Sequence, residues 1–299
     1  MFHWLARYLI QNVAQEKVRE AVMAAAQERV AEAMRGGQGG GEPPPCEVGV
    51  VFALEQESGG TEDLLAERAA TKGSGFVAIR GSLAGRGVAV VRSGAGRDRA
   101  ARATEALLAG HRPKWVISAG FTGGLDRRLA RGDILLANEV VDESGRRMPI
   151  DHGVDVASLP DPGRVHVGRL LTLDRVIRLP RDKEELGRKH QALAVDMESL
   201  AVVEVCAARN VPVLVVRVVS DAVDDTLPAD VERLVTQKTP AARWGAALGA
   251  VINRPGSLKD MLALQESALK ATDRLARTLA RIVKGPETTA TGPSSEGSG

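Results

Sequence analysis

The chain has little that would mark it for a special environment. Two cysteines, Cys46 and Cys206, are too few for a disulfide framework or a metal site of their own, so a reducing, cytoplasmic setting is the default. Charge of one sign is also missing. Forty basic side chains against 38 acidic ones leave a net charge of +2, which gives no whole-molecule basis for nucleic-acid binding. No run reaches the roughly 18 apolar residues of a membrane span. No signal peptide is legible, because Arg7 splits the first apolar stretch and no basic region precedes a long hydrophobic one. No internal repeat is seen. What is there is a 299-residue chain, 44% hydrophobic, that can bury one large core or two modest ones.

The two ends read differently from the middle. Met1 to Met34 contains neither Gly nor Pro and is followed by RGGQGGGEPPP, which predicts an amphipathic N-terminal helix over 1–34 and a Gly/Pro-rich linker over 35–46. The first turns carry Phe2, Trp4, Leu5, Tyr8, Leu9, Ile10 and Val13. Three roles stay open for them: packing on the domain or on a second subunit, which is favoured; contact with a membrane surface, which is not favoured; and a loosely attached extension. At the other end a helix over 228–253 is followed by RPG as a break and a C-terminal helix, within 254–284, that starts at Ser257 as N-cap. Leu258, Met261, Leu262, Leu269, Leu279 and Ile282 fall on one face of it, and residues 285–299 read as a disordered tail.

Between linker and last helix, over 47–253, apolar runs alternate with helical patterns. Strands are expected over 47–54, near 75–80, 86–92, 114–119, 133–141, near 165–171, 191–196 and 211–219, with helices over 98–110, 198–209 and 229–252. That alternation predicts an α/β domain with a mixed, mostly parallel central sheet flanked by helices.

Three of the strands end in acids, and a carboxylate beside an apolar core is costly unless it has work to do. Val48 to Leu54 runs into Glu55, Gln56 and Glu57. Ala194 and Val195 run into Asp196, Met197 and Glu198, ahead of an apolar helix. The run VLVVRVV, interrupted by Arg217, releases Ser220 and Asp221. The carboxyl ends of strands are where open α/β sheets bind ligands. Each residue also has a plain reading: Asp221 as a turn acid, Glu198 as a first-turn acid favoured by the helix dipole, Glu57 as an exposed loop carboxylate, Met197 as core. Arg217 either pairs with Glu198 or Asp221 or reaches water from an edge strand.

FALEQE, RSGAG, SAGFTGGL, RGDILLANEV, AVDMES and RVVSDAVDD occur in this order over roughly 47–252. The set resembles the purine nucleoside phosphorylase and nucleosidase superfamily, with 5'-methylthioadenosine/S-adenosylhomocysteine nucleosidases as the nearest likeness. The resemblance implies cleavage of the bond between a sugar and adenine. In it Asp221 is the general acid toward the base and Glu57 activates water, with Glu55 and Gln56 in support. Glu198 binds the ribose hydroxyls, Met197 packs on the sugar, and Ser220 and Arg217 belong to the site. Ser93, Gly94 and Gly96 make either an anion site or a tight turn under the ribose. Phe121, Thr122 and Gly123 let backbone approach a flat base, with Phe121 either stacking on it or packed in the core.

The chain departs from the family pattern in three places. Phe121 stands where a small polar residue is usual. The stretch between Gly132 and Glu198 is short, with PDPG at 160–163 in place of a helix. TLDRVIR at 172–178 lacks the expected aromatic, leaving Val176 and Ile177 as base contacts. Phosphorolysis is the runner-up to hydrolysis, including on a lipid-linked adenosyl substrate. It would need phosphate as co-substrate, and Arg92, Arg97 and Arg178 are the suggestive cations. A non-catalytic nucleoside-binding or scaffold protein is the reading from outside enzymology. No metal or organic cofactor is implied, and the resemblance points to a homodimer acting on a small-molecule adenine nucleoside.

Overall fold

The computed structural model describes residues 46–72, 76–227 and 257–285. The expected N-terminal helix, the linker as far as residue 45, the helix over 228–253 and the tail from 286 lie outside the described residues. Cys46, assigned to the linker by its sequence, is buried at the sheet, and its backbone N–H donates to the His111 carbonyl at 3.0 Å.

The central strand is Val48–Phe52 (β1), buried along its whole length. It runs parallel to Arg86–Arg92 (β4) on one side and Trp115–Gly124 (β5) on the other, and Val213–Asp221 (β10) continues the parallel set beyond β5. These are the near-continuous Val/Ile runs of the sequence, as strands buried on both faces should be. Val77–Leu83 (β3) pairs antiparallel with β4, and Ala66–Lys72 (β2) adds an antiparallel edge.

On the far side the sheet closes on itself. Ile134–Asp142 (β6) pairs antiparallel with β10 and parallel with Val165–Thr172 (β8), which is parallel to Ala194–Asp196 (β9). Gly123 and Gly124, at the end of β5, then pair antiparallel with Val195 and Ala194 of β9. Because β5 also holds β10, the strands β5, β10, β6, β8 and β9 form a ring, from which β1, β4, β3 and β2 extend as an open sheet. Arg147–Pro149 (β7) pairs with β6 outside that path.

Helices cover both faces. Arg97–His111 (α2) and Ser199–Ala208 (α4) pack on one, where Ala100, Ala103, Leu107, Ala201, Val202 and Cys206 join Val51, Ala89, Val91 and Val116. Gly49 makes room there, since a Cβ on it would lie 2.7 Å from Leu107. Glu55–Asp63 (α1) and Ser257–Lys284 (α5) lie on the other face, where Ala271, Leu275, Leu279 and Val283 of α5 cover Val50, Phe52, Val90, Ile117, Val216 and Val218.

Some elements differ from the sequence reading. Glu57 is not in an exposed loop: it sits in α1, a helix whose two glycines and seven polar side chains hide its helical period. The strand expected to stop at 119 continues through Gly124, because the glycines meet a partner strand on each side rather than making a turn. Strand β10 also carries Ser220 and Asp221 as strand residues, with a register shift between Val219 and Asp221. Three further unexpected elements appear, β2, β7 and Pro180–His190 (α3). PDPG contributes only a 3-10 turn, Pro162–Arg164. On α5, Leu269 is 62% exposed, and the buried residues are Ala271, Thr272, Leu275, Ala276, Thr278, Leu279 and Val283. The side chains of Leu258, Met261 and Leu262 lie outside the described residues.

Candidate active site

Glu57 enters the site from the first turn of α1. Its Oε2 accepts the backbone N–H groups of Ala53 (3.0 Å) and Leu54 (2.7 Å), and its Oε1 accepts the Phe121 N–H of β5 (2.9 Å). The contact to Leu54 is the backward half of a capping box, which explains why the chain turns into a helix here. A carboxylate has about four acceptor positions, so three backbone donors leave one for a water. Burial pushes the Glu57 carboxyl up, opposed by the Phe121 N–H, Arg217 and the Leu54 and Ala53 N–H groups.

Glu198 arrives from the turn between β9 and α4. Its Oε1 accepts the Gly96 N–H at 2.8 Å. Gly96 has φ +104° and stands as N-cap of α2, a conformation that suits glycine and directs its N–H at the acid. The glycine-rich SGAG turn is thereby occupied in holding a carboxylate. Burial, then Asp196 and then Glu57 push the Glu198 carboxyl up to about 8, against the Gly96 N–H and Arg217. Ser93 is buried, and its hydroxyl turns back to the Gly94 carbonyl (2.8 Å) and the Phe52 carbonyl (3.2 Å). Beside Gly96 lies a hollow of about 680 Å³ lined by Ala95, Arg97, Arg99, Arg102, Asp174 and Ala201 among others.

Arg217 is buried under these acids, but its partner is neither Glu198 nor Asp221. Its Nη2 lies 2.8 Å from Asp196 Oδ2 and also donates to Ser118 Oγ (2.8 Å) and Ser199 Oγ (2.7 Å). Asp196 in turn accepts the Ser199 N–H (3.0 Å) and the Thr172 hydroxyl (2.7 Å), so one of its oxygens, Oδ2, both holds the first N–H of α4 and neutralises Arg217. Asp196 shares the AVDMES motif with Glu198, but its role depends on Arg217, which only the fold sets against it. Gly120 is where the groups converge, since a Cβ there would lie 2.6 Å from Arg217 Nη1 and 2.8 Å from Glu57 Oε1.

Asp221 stands at the end of β10, buried, with Ser220 Oγ donating to Oδ1 at 2.6 Å. Its Oδ2 meets Lys183 Nζ at 2.6 Å. Lys183 is wholly buried on α3, and nothing in the sequence singled it out: PRDKEELGRKH reads as a solvated charged face. Gly123 permits the approach, as its Cβ would lie 3.2 Å from Asp221 Oδ2.

The remaining expected residues divide. Thr122 is buried with its hydroxyl on the Val195 carbonyl (2.7 Å), and Phe121 is part-buried against the aliphatic core, with its N–H rather than its ring on Glu57. Met197 is half-buried next to Glu198. Ile177 is buried with Leu125, Leu171 and Leu173, leaving Val176 half-buried. Of the arginines considered for phosphate, Arg92 pairs with Glu55 (3.2 Å) and Glu62 (3.6 Å), Arg97 lies 4.0 Å from Asp174, and Arg178 Nε donates to the Leu227 carbonyl. Among the described residues no cluster of three or more His, Cys, Asp or Glu is arranged to hold a metal ion.

A mixed sheet closed into a ring, with acids at the carboxyl ends of β1, β9 and β10, defines a class, and the sequence matches the family described as "Phosphorylase superfamily" over residues 47–284. The chain belongs to that superfamily. Within it the chain is similar to 5'-methylthioadenosine/S-adenosylhomocysteine nucleosidases. It is 30% identical over 198 residues to that of Haemophilus influenzae (59% of this chain, 86% of the relative), and 29% identical over 212 residues to that of Shewanella sediminis (64% and 92%). The crystal structure of the nucleosidase from Neisseria meningitidis in complex with methylthio-immucillin-A has the same fold, with a TM-score of 0.64, 24% identity, and coverage of 80% of this chain and 99% of that one.

Proposed function

We propose that this protein hydrolyses the N-glycosidic bond of an adenine nucleoside of the methylthioadenosine/S-adenosylhomocysteine type. The observation that carries the reading is the gathering at strand ends of buried Glu57, which meets Arg217 over Gly120, and half-buried Glu198, held by the Gly96 N–H, with Asp221 held apart on its own cation.

Departure of adenine needs a proton or hydrogen bond on a ring nitrogen, stabilisation of a cationic sugar, and a nucleophile on the opposite face. Asp221 supplies the first: its carboxyl takes up a proton from solvent at Oδ1, beside Ser220 Oγ and away from Lys183, and passes it to the ring nitrogen. Glu198 accepts the ribose hydroxyls and offsets positive charge as the C–N electrons move into the purine. Glu57 takes a proton from water as the oxygen bonds to the anomeric carbon, and its Phe121, Ala53 and Leu54 donors keep the acceptor oxygen aimed. Met197 packs on the sugar and Val176 borders the base, with Ile177 packed behind it.

Hydrolysis is favoured over phosphorolysis because Arg92 is already neutralised by Glu55 and Glu62 and the Gly96 N–H is spent on Glu198. The acid, base and sugar stabiliser are all side chains, so the reaction requires no metal or organic cofactor. The reading includes a homodimer in the reducing cytoplasm. No helix of the described residues is long and apolar enough to cross a membrane.

The test is incubation of purified protein with methylthioadenosine, S-adenosylhomocysteine and adenosine, with and without phosphate, resolving products by chromatography. Adenine and free sugar without phosphate are expected. Strict phosphate dependence with a sugar 1-phosphate product would make the protein a phosphorylase, and tight binding with no release would make it a binding protein.

A further inference from the structure

Lys183 is the one fully buried lysine among the described residues, and it stands on Asp221. Its Nζ has three acceptors: Asp221 Oδ2 at 2.6 Å, the Ala222 carbonyl at 2.9 Å and the Asp225 carbonyl at 3.0 Å. Three acceptors match the three N–H groups of an ammonium, which has none left over for water or for a substrate. A charge buried this completely is expensive, and an apolar residue would fill the same space at less cost, so its retention calls for a role beyond holding the fold.

The geometry assigns that role. Asp221 follows a register shift in β10, and such an irregularity leaves the direction of a side chain to be fixed by what it touches. Lys183 takes Oδ2, while Oδ1 accepts the Ser220 hydroxyl and keeps a second position for a ligand. The same ammonium ties the two carbonyls of the loop that follows, so α3 holds both the acid and its loop.

We propose that Lys183 is a positioning residue for departure of the base: it aims Asp221 at the leaving purine and contributes nothing to attack of water on the sugar. This rests on the function proposed above.

The proposal separates two kinds of substrate. With methylthioadenosine the leaving purine needs help from Asp221; with 4-nitrophenyl 5-methylthio-riboside the nitrophenolate leaves without a proton. For Lys183→Met, kcat on methylthioadenosine is expected to fall by roughly 100-fold with KM little changed, and kcat on the nitrophenyl riboside to stay within about 3-fold of wild type. Glu57→Gln should lose both. Because Lys183→Met leaves a buried carboxylate unpaired, the double variant Lys183→Met/Asp221→Asn is measured beside it, as it removes both charges together. The double variant should show the same split between substrates and no greater loss on methylthioadenosine than Asp221→Asn alone. Equal losses on the two substrates, or no loss on methylthioadenosine, would overturn the role of Lys183. A wild-type protein inactive on both substrates would instead overturn the function itself, and with it this inference.

Discussion

The sugar side and the base side of the site use the same residue type under opposite conditions. Glu57 and Glu198 are crowded together near Arg217, whose own partner is Asp196, and are held mainly by backbone N–H groups; burial pushes both carboxyls up, and Asp196 and then Glu57 push Glu198 further. Asp221 stands apart with a private cation and a neighbouring hydroxyl. Crowding suits groups that must take up a proton or respond to a positive charge forming on the sugar. A private cation suits a group whose direction matters most. The difference shows that position at a strand end makes an acid a candidate, while its neighbours decide what it can do.

The largest effect should come from the sugar side. Glu57→Gln keeps the shape and removes the base, and kcat for adenine release should fall by about 10²–10⁴-fold while binding of an adenine nucleoside, measured by calorimetry, stays within a few fold. Retention of more than a tenth of wild-type kcat would remove Glu57 from the chemistry.

Gly120→Ala attacks the convergence point without touching any acid. The added methyl would lie 2.6 Å from Arg217 Nη1 and 2.8 Å from Glu57 Oε1, so Glu57 must shift, and a loss of roughly 100-fold in kcat is expected. Gly163→Ala, where a Cβ meets nothing within 4 Å, is the control and should leave kcat unchanged.

The third effect is one of pH. With Glu198 raised from 4.5 to about 8, the folded protein binds more protons than the unfolded chain between those values, so stability should fall as pH rises through that window. Tm measured from pH 5 to 8 should drop, and Glu198→Gln should flatten the drop. The kcat/KM for methylthioadenosine should rise with pH toward about 8 as Glu198 ionises, and the same variant should remove that limb. A Tm that climbs over this range in wild type would contradict the crowding of the two acids.

The smallest effect belongs to a pair with no link to either side. Arg175 and Glu143 are exposed and joined by two contacts of 2.8 Å. Arg175→Ala should change stability by at most about 1 kcal/mol and leave kcat alone, as read from urea denaturation and steady-state rates.

Much of this was legible in the sequence where hydrophobic patterning and chain position coincide. The runs VGVVF, VAVV and VLVVRVV gave the parallel centre, and the acids after them marked Glu57, Glu198 and Asp221. What stayed hidden depends on contacts distant in the chain. Lys183 is 38 residues from Asp221 and lies in a segment whose composition suggests solvent. Asp196 looked like a neighbour of Glu198 until the fold set Arg217 against it. The helix α1 was masked by Gly59 and Gly60. Gly60 serves packing, since a Cβ there would meet Thr272 of α5 at 3.1 Å. The glycines of β5 suggested a turn because glycine has no side chain to report the strand's alternation, and only pairing with β9 and β10 reveals them.

The division of labour is tested most directly by the fate of water oxygen. Methylthioadenosine is turned over in ¹⁸O-labelled water without phosphate, and the sugar product is analysed by mass spectrometry for wild type and Glu57→Gln. The account predicts one labelled oxygen on the free sugar from wild type and almost no sugar from the variant. A sugar formed only when phosphate is present, or labelled sugar produced by Glu57→Gln at the wild-type rate, would contradict it.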